Sequence, residues 1–196
     1  MPRRKIQFVQ GAYYHIYNRG AARAAIFHEA TDYEQLLWTI KHYLPRFQLT
    51  LIAYCLMPNH YHWLVRQDEL IAAGLLAQRV FKSYANRFNH KYKRSGALFE
   101  DRFDAILVDT DEYLRHLCCY IHANPVKAGF AAAPELWPYS NYLDWIGQRA
   151  GTLVDQAFIT AHFHNQHNYR RFVLDYLTGC AALPNALTDY LVGLAA

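Results

Sequence analysis

The chain has 196 residues, enough for one well-cored domain with an appendage and too few for two domains of ordinary size. Hydrophobic residues make up 53% and charged residues 18% of it, a balance that excludes a largely disordered protein. A net charge of +4 and a pI near 8.8 favour a polyanionic partner. The 16 Tyr, 11 Phe and 4 Trp can build a core or offer faces on which unpaired bases stack.

Cysteine spacing and hydropathy indicate the cellular compartment of the protein. No basic-then-apolar signal segment opens the chain, and no run approaches the ~18 apolar residues that a membrane span needs. Four cysteines, Cys55, Cys118, Cys119 and Cys180, show no CxxC spacing, which argues against a zinc site or a disulfide framework. We therefore expect buried thiols in a cytoplasmic protein with no membrane partner.

The first half of the chain predicts a strand, a helix and two further strands. A Tyr- and Ile-rich strand from Ala12 to Asn18 leads into a loop that carries Arg19. Thr31 is the expected cap of a helix that runs to about Phe47. Two short apolar runs follow, from Leu49 to Leu56 and from His60 to Arg66, separated by a turn.

The second half adds a long amphipathic helix, a strand and another helix. The long helix spans Leu70 to about Lys93 and has a basic outer surface. A strand from Phe103 to Val108 precedes a helix from Thr110 to Asn124, with Asp109 and Glu112 as the expected capping pair and Pro125 as the expected stop. Beyond Gly129 the pattern predicts further helices near 155–162, 169–177 and 187–194.

This order of elements predicts an α+β fold, a ferredoxin-like antiparallel sheet with helices on one face. The helix from Thr110 to Asn124 is an addition to that plan. We expect a catalytic domain over residues 1–130 and a helical C-terminal extension over residues 131–196, packed on the same unit.

His60 and His62 stand two residues apart in a predicted strand, so both imidazoles project from one face. Such a pair can chelate a metal, but satisfied structural histidines give the same spacing. A metal site therefore needs a third ligand.

The helix from Thr110 to Asn124 supplies a candidate for the third metal ligand. Its core stripe contains Leu114, Leu117, Cys118 and Ile121, whereas Tyr120 and Asn124 lie together outside that stripe as i and i+4 neighbours. An Asn oxygen with two imidazoles would suit Mg²⁺ or Mn²⁺ and leave positions for phosphate oxygens. The alternative is that Tyr120 lies at the edge of the hydrophobic core and Asn124 only caps the helix.

Five short motifs carry a resemblance to a known family. The segment from Pro58 to His62 resembles the HUH motif, and Tyr120 with the segment from Asn124 to Gly129 resembles the nucleophile region of single-tyrosine transposases. Three further stretches resemble bacterial REP-associated tyrosine transposases: Gly96 to Phe99, Arg102-Phe103, and Trp137 to Ser140. In this order they cover roughly residues 8 to 145.

The resemblance implies an endonuclease and transposase in which His60 and His62 bind a divalent metal. Tyr120 would attack a DNA phosphate, form a 5′-phosphotyrosine link and release a 3′ hydroxyl. Asn124 stands where relatives carry a polar third ligand. The implied partner is single-stranded or hairpin DNA at palindromic repeats, bound by a monomer or a homodimer.

A phenol with an ordinary pKa near 10 needs activation to attack at neutral pH, and His116 or His122 could assist. For contact with DNA we select six cations with interleaved aromatic residues. They are Arg19, Lys82, Arg87, Arg94, Arg102 and Lys127.

Two rival functions remain. A metal-free hydrolase of the histidine-triad kind needs a third alternate histidine, and Leu64 occupies that position. The other is a non-catalytic, sequence-specific DNA-binding protein derived from a transposase. Intact His60, His62 and Tyr120 argue against it without excluding it.

Overall fold

The computed structural model describes residues 6–180. The sheet contains β1 (Tyr13–Arg19), β2 (Leu49–Met57), β3 (His60–Gln67) and β4 (Asp104–Val108). The helices are α1 (Ala30–Phe47), α2 (Ala73–Lys91), α3 (Asp111–Lys127), α4 (Tyr142–Trp145), α5 (Gln156–Phe163) and α6 (Gln166–Leu177). The predicted helix near 187–194 lies outside the described residues, and no helix among those described is long and apolar enough to cross a membrane.

The four strands form one sheet in the order β2-β3-β1-β4, and β1 runs antiparallel to β3. With α1 between β1 and β2 and α2 between β3 and β4, this is the predicted ferredoxin-like α+β arrangement. The register places Tyr17 opposite His62 and Arg19 opposite His60. The fold prediction is therefore confirmed.

Both helices of the ferredoxin-like plan cover the same face of the sheet. The ring of Phe81 on α2 stacks on Tyr61 at 3.8 Å between centroids and lies 4.5 Å from the ring of Trp63. Because side chains alternate along a strand, His60 and His62 project from the other face. The core under α1 and α2 thus fixes which face carries the histidines.

The chain divides into two compact units. Within the described residues, the first contains 6–51 and 56–107, and the second contains 52–55 and 108–180. The second unit thus groups α3 with α4, α5 and α6. The expected division at residue 130 stays a prediction.

The start of α1 differs from the sequence prediction. Glu29, not Thr31, is the N-cap, and Glu29 and Asp32 form a reciprocal capping box. Thr31 instead donates its hydroxyl proton to the Glu29 carboxylate at 2.7 Å. Asp32, at the third helical position, determines that Glu29 is the N-cap, because its carboxylate accepts a hydrogen bond from the backbone N–H of Glu29 at 3.2 Å.

Both predicted ends of α3 are also corrected. Thr110 is the N-cap and accepts the Tyr113 N–H, so Asp109 plays no part in the capping. The helix continues through buried Pro125 to Lys127, because the φ that proline fixes is compatible with a helix. The cost is the hydrogen bond that its own N–H would make and crowding of the Ile121 carbonyl. Gly129, with φ of +74°, follows the helix end.

The cysteines are free thiols. Cys55, Cys118 and Cys119 are buried as expected, whereas Cys180 is exposed, contrary to the prediction. Burial raises the pKa of the buried three, so they stay protonated at neutral pH.

Candidate active site

His60 and His62 form a close pair at the start of β3. Their ring centroids are 5.1 Å apart, His62 is buried and His60 is half-buried. Nδ1 of His60 lies 2.7 Å from Oδ1 of Asn59. The preceding turn is held to the end of β1, because the N–H of Gly20 donates to the Asn59 carbonyl at 2.8 Å. These bonds fix the backbone from which both imidazoles project.

A third histidine, His15, joins this pair. It lies on β1, and its Nε2 is 3.0 Å from Nδ1 of His62. Burial lowers the pKa of His15 to about 3. Burial, then the proximity of His60 and His15, lowers the pKa of His62 well below its usual range. The His15–His62 pair is therefore neutral at pH 7.

Sequence reasoning missed His15, since its spacing to the HUH-like segment carries no signal. Only alternation in β1, which puts His15, Tyr17 and Arg19 on one face, could have suggested it. The β1–β3 register then decides that this face adjoins His62.

The donor pattern of the two histidines fits a divalent metal. An amide oxygen only accepts, so a hydrogen bond from His60 to Oδ1 of Asn59 requires the tautomer with the proton on Nδ1, which leaves the lone pair on Nε2. A proton on Nδ1 of His62, donated to His15, likewise leaves the lone pair of His62 on Nε2. Metal-binding histidines usually donate their second N–H to such a partner. Within residues 6–180 no cluster of three or more His, Cys, Asp or Glu side chains could hold a metal, so an ion here would need an amide or water ligand as well.

Tyr120 and Asn124 lie on α3 in the second unit, and their side chains are hydrogen bonded to each other. Burial raises the pKa of Tyr120 well above its usual value; the nearby Tyr176 raises it further, and the bond with Asn124 opposes this. The phenol is therefore protonated at neutral pH. Asn124 is itself buried, so the buried surface of α3 extends beyond the predicted apolar stripe.

Helix α6, the last helix among the described residues, packs along α3 and brings Tyr176 close to Tyr120. The ammonium group of Lys127 lies 4.8 Å from the centre of the Tyr176 ring. The hydroxyl of Tyr169 donates to the carbonyl of Cys118 at 3.1 Å. Sequence reasoning gave no role to Tyr176.

Of the two histidines expected to assist Tyr120, His122 is unsuited. Its Nδ1 lies 2.5 Å from the hydroxyl of Tyr169, and its Nε2 lies 2.8 Å from Oδ1 of Asn141. Burial lowers its pKa to about 4. Both ring nitrogens are thus engaged in a buried network. His116 is half-buried one helical turn before Tyr120, and burial lowers its pKa as well.

The six predicted DNA contacts do not form one cluster. Arg19 lies opposite His60 in the sheet, and its Nε donates to Oε2 of Glu100 at 3.0 Å. Lys82 and Arg87 lie on the exposed side of α2, across the sheet from the histidines. The remaining three are Arg94, whose guanidinium lies 5.6 Å from the Phe88 ring centre, exposed Arg102, and exposed Lys127 on α3.

Residues 8–124 match the model of the IS200-like transposase family. A Haemophilus influenzae protein named as a REP-associated tyrosine transposase is 32% identical over 102 residues, covering 46% of this chain and 57% of that protein. The match thus spans little more than half the length of this relative. The solved structure of a REP-associated tyrosine transposase bound to a REP hairpin superposes with a TM-score of 0.63 at 19% identity, covering 79% of this chain and 94% of that chain. At 19% identity, this structural similarity shows that the two proteins share a fold.

Proposed function

Because the chain belongs to the IS200-like transposase family, we propose that it nicks single-stranded DNA and transfers the strand through a 5′-phosphotyrosine formed at Tyr120. The family match confirms the resemblance seen in the motifs and supports the proposal of a transposase-type role on DNA. The proposed metal-dependent cleavage rests on the His60–His62 pair. Nδ1 of His60 contacts Asn59, and Nδ1 of His62 contacts His15.

His60, His62 and Asn124 would hold a divalent cation, Mg²⁺ or Mn²⁺. Two neutral imidazoles and an amide oxygen form a mixed nitrogen and oxygen donor set that suits Mn²⁺ and tolerates Mg²⁺. The ion would neutralise charge on the nonbridging oxygens of the scissile phosphate. In this scheme Asn59 and His15 hold the imidazole rings in orientation before DNA binds.

Tyr120 is the proposed nucleophile. Its Oη would form a bond to phosphorus while the bond from phosphorus to the 3′ oxygen breaks, and the leaving oxygen would take a proton to give a 3′ hydroxyl. The new ester conserves the phosphodiester energy, so attack by another 3′ hydroxyl can reverse it and join a different strand. No nucleotide cofactor is required.

The proton of Tyr120 must be removed as the attack proceeds, because burial disfavours the free phenolate. His116 is the proposed acceptor. It precedes Tyr120 by four residues on α3, a spacing that places two helical side chains side by side. Its lowered pKa keeps the imidazole neutral, and thus able to accept a proton, at pH 7.

The proposed substrate is hairpin-forming repeat DNA with single-stranded flanks. The solved relative is bound to a REP hairpin, and we extend that class of ligand to this chain. Arg19, which neighbours His60 in the sheet, is the side chain placed best to contact a phosphate of the reacting strand. Arg94, Arg102 and Lys127 are proposed to contact the DNA backbone.

The test is covalent trapping. A labelled hairpin oligonucleotide with a library of single-stranded flanks is incubated with the protein and Mn²⁺, Mg²⁺ or chelator, then run on a denaturing gel. We expect a metal-dependent protein–DNA adduct that disappears in Tyr120→Phe and His62→Ala. Because His62 is buried, half-buried His60→Ala serves as a second variant less prone to misfold.

Tyr113→Phe is the matched control, since Tyr113 is another half-buried tyrosine of α3. It should form the adduct normally. An adduct that persists in Tyr120→Phe would contradict the proposed nucleophile. Hairpin binding with no adduct under any metal would instead favour the non-catalytic DNA-binding protein.

A further inference from the structure

The outward side of α1 and α2 carries a set of basic and aromatic side chains that the proposed reaction does not use. We call this surface the helical face. It lies on the opposite side of the sheet from His60 and His62, because the inward side of α2 packs on Tyr61 and Trp63. Its defining residues are Trp38, Tyr43, Arg46, Arg79, Lys82 and Arg87.

The helical face is strongly positive. No acidic residue occurs in α2, and Glu34 is the one exposed carboxylate within α1 and α2. Against it stand six exposed Lys and Arg side chains. Lys91 pairs with Glu29 and Asp32, and within residues 6–180 none of the other five has an ion-pair partner. They are Lys41, Arg46, Arg79, Lys82 and Arg87.

Aromatic rings lie between these cations. Trp38 is 57% exposed, which is unusual for so large a ring on a protein surface. It stacks on His42 at 5.3 Å with only 10° between the planes, and the guanidinium of Arg87 lies 5.9 Å from its centre. The ring of Tyr43 has Arg46 at 5.9 Å and Arg79 at 6.0 Å from its centre.

We propose that the helical face is a second DNA-binding surface that takes single-stranded DNA, separate from the strand that reacts at Tyr120. The exposed Trp38 ring and the half-buried Tyr43 ring have guanidinium groups beside them that form no ion pair within residues 6–180. This combination matches the two chemical features of an unpaired strand, a base with a π face and a phosphate with a charge. Duplex DNA supplies the charge but keeps its bases stacked inside, so it would leave Trp38 unused.

The charge of the helical face also disfavours the main competing occupant, a second copy of this chain. A two-fold contact would bring the same patch from each protomer together. Five cations that form no ion pair with any described residue would then face five others, and like charges brought together across an interface repel. A bound polyanion such as single-stranded DNA would instead neutralise these cations.

The experiment measures binding of (dT)12 in chelator to the full chain carrying Tyr120→Phe, so that covalent chemistry cannot contribute. Fluorescence anisotropy gives the affinity, and quenching of tryptophan emission reports contact with Trp38. We expect Trp38→Ala to weaken binding about tenfold through loss of base stacking. The pair Arg79→Gln and Arg87→Gln should lower the slope of log affinity against log salt by about 1.4, or about 0.7 per lost phosphate contact.

Matched controls come from the second unit. Phe130→Ala removes an aromatic side chain that is 50% exposed, and Arg170→Gln with Arg171→Gln removes two exposed charges. Both should bind (dT)12 as the parent does. A blunt, fully paired 12-base-pair duplex should bind more weakly than (dT)12, and its affinity should be unchanged by Trp38→Ala.

Unchanged (dT)12 affinity in Trp38→Ala, with Arg19→Gln alone weakening binding, would overturn the proposal, because the strand would then bind only near the histidines. A change in self-association of Trp38→Ala by sedimentation, with no change in DNA affinity, would overturn it in favour of a protein interface. With Tyr120 restored, Trp38→Ala should still form the covalent adduct on a saturating substrate. The covalent adduct therefore tests the proposed reaction at Tyr120, and (dT)12 affinity tests the helical face, so failure of one proposal can be distinguished from failure of the other.

Discussion

Nε2 of His15 lies 3.0 Å from Nδ1 of His62, and both imidazoles are buried. This bond fixes the ring of a proposed metal ligand from a neighbouring strand. Partners of this kind typically change metal affinity about 10- to 100-fold when removed. We therefore expect His15→Ala to weaken Mn²⁺ binding, measured by titration calorimetry, by about tenfold or more.

His15→Gln is the conservative test of that role, because a glutamine side chain can place a polar atom near the position of histidine Nε2. It should recover most of the Mn²⁺ affinity if His15 acts by orienting His62. Equal affinity in the parent and His15→Ala, with the fold retained by circular dichroism, would show that the bond has no part in metal binding.

In the proposed complex, Arg19 would exchange one anion for another when DNA binds. Its Nε donates to the Glu100 carboxylate at 3.0 Å, in a pair exposed enough for solvent to weaken it. A phosphate must displace that carboxylate, so Glu100→Gln should tighten binding of a single-stranded oligonucleotide by about threefold at low salt. Arg19→Gln should do the opposite and reduce the salt slope by about 0.7.

The double variant of Arg19 and Glu100 decides whether the two effects are coupled. If Arg19 contacts the phosphate, replacing Glu100 should give no gain once Arg19 is absent. An equal gain in both backgrounds would mean that Glu100 acts only through the general charge of the surface. Affinities at three salt concentrations are sufficient for this comparison.

Asn141 organises the buried polar network of the second unit. Its Oδ1 accepts from the Tyr54 N–H and pairs with His122, each at 2.8 Å, and its Nδ2 donates to the carbonyls of Ile52 and Leu153 at 2.8 and 3.0 Å. Removing the amide would leave several buried groups without partners. We expect Asn141→Ala to lower the free energy of unfolding by about 3 kcal/mol in urea denaturation.

Asn168→Ala, at an exposed position on α6, is the comparison for that measurement and should change stability by less than about 0.5 kcal/mol. A similarly small effect of Asn141→Ala would mean that water replaces the amide. The network would then contribute little to the stability of this unit.

Asp32 should make stability depend on acid pH. Burial raises its pKa, but hydrogen bonds from Lys91 at 2.6 Å, the His28 N–H at 2.8 Å and Tyr92 at 2.8 Å outweigh burial, so the folded pKa lies below the ordinary 3.8. The ionised carboxylate thus stabilises the folded state above pH 3.8, and this contribution disappears as the pH falls through the folded pKa. Asp32→Asn should lower the free energy of unfolding at pH 7 by about 2 kcal/mol.

The same variant should flatten the decline in stability below about pH 4, measured by thermal unfolding across pH. Glu34→Gln, an exposed carboxylate on the same helix, should leave the curve unchanged. An acid decline of equal steepness in Asp32→Asn would place the responsible group elsewhere.

Local periodicity was sufficient for much of the fold and for part of the site. Alternation along β3 put His60 and His62 on one face, and helical spacing paired Tyr120 with Asn124, because these relations depend on a single element. The ends of α1 and α3 were misassigned. Several polar side chains there compete for the same N–H groups, and packing permits Pro125 inside a helix.

The sequence by itself thus determined the order of strands and helices, the family resemblance, and the pairs within one element. Only the tertiary structure decided that His15 meets His62, that Arg19 neighbours His60, that His122 is engaged at both nitrogens, and that Lys82 and Arg87 lie across the sheet from the histidines. Those relations depend on strand register and on which face a helix buries. Both are set by contacts between residues far apart in the chain, and local spacing does not encode them.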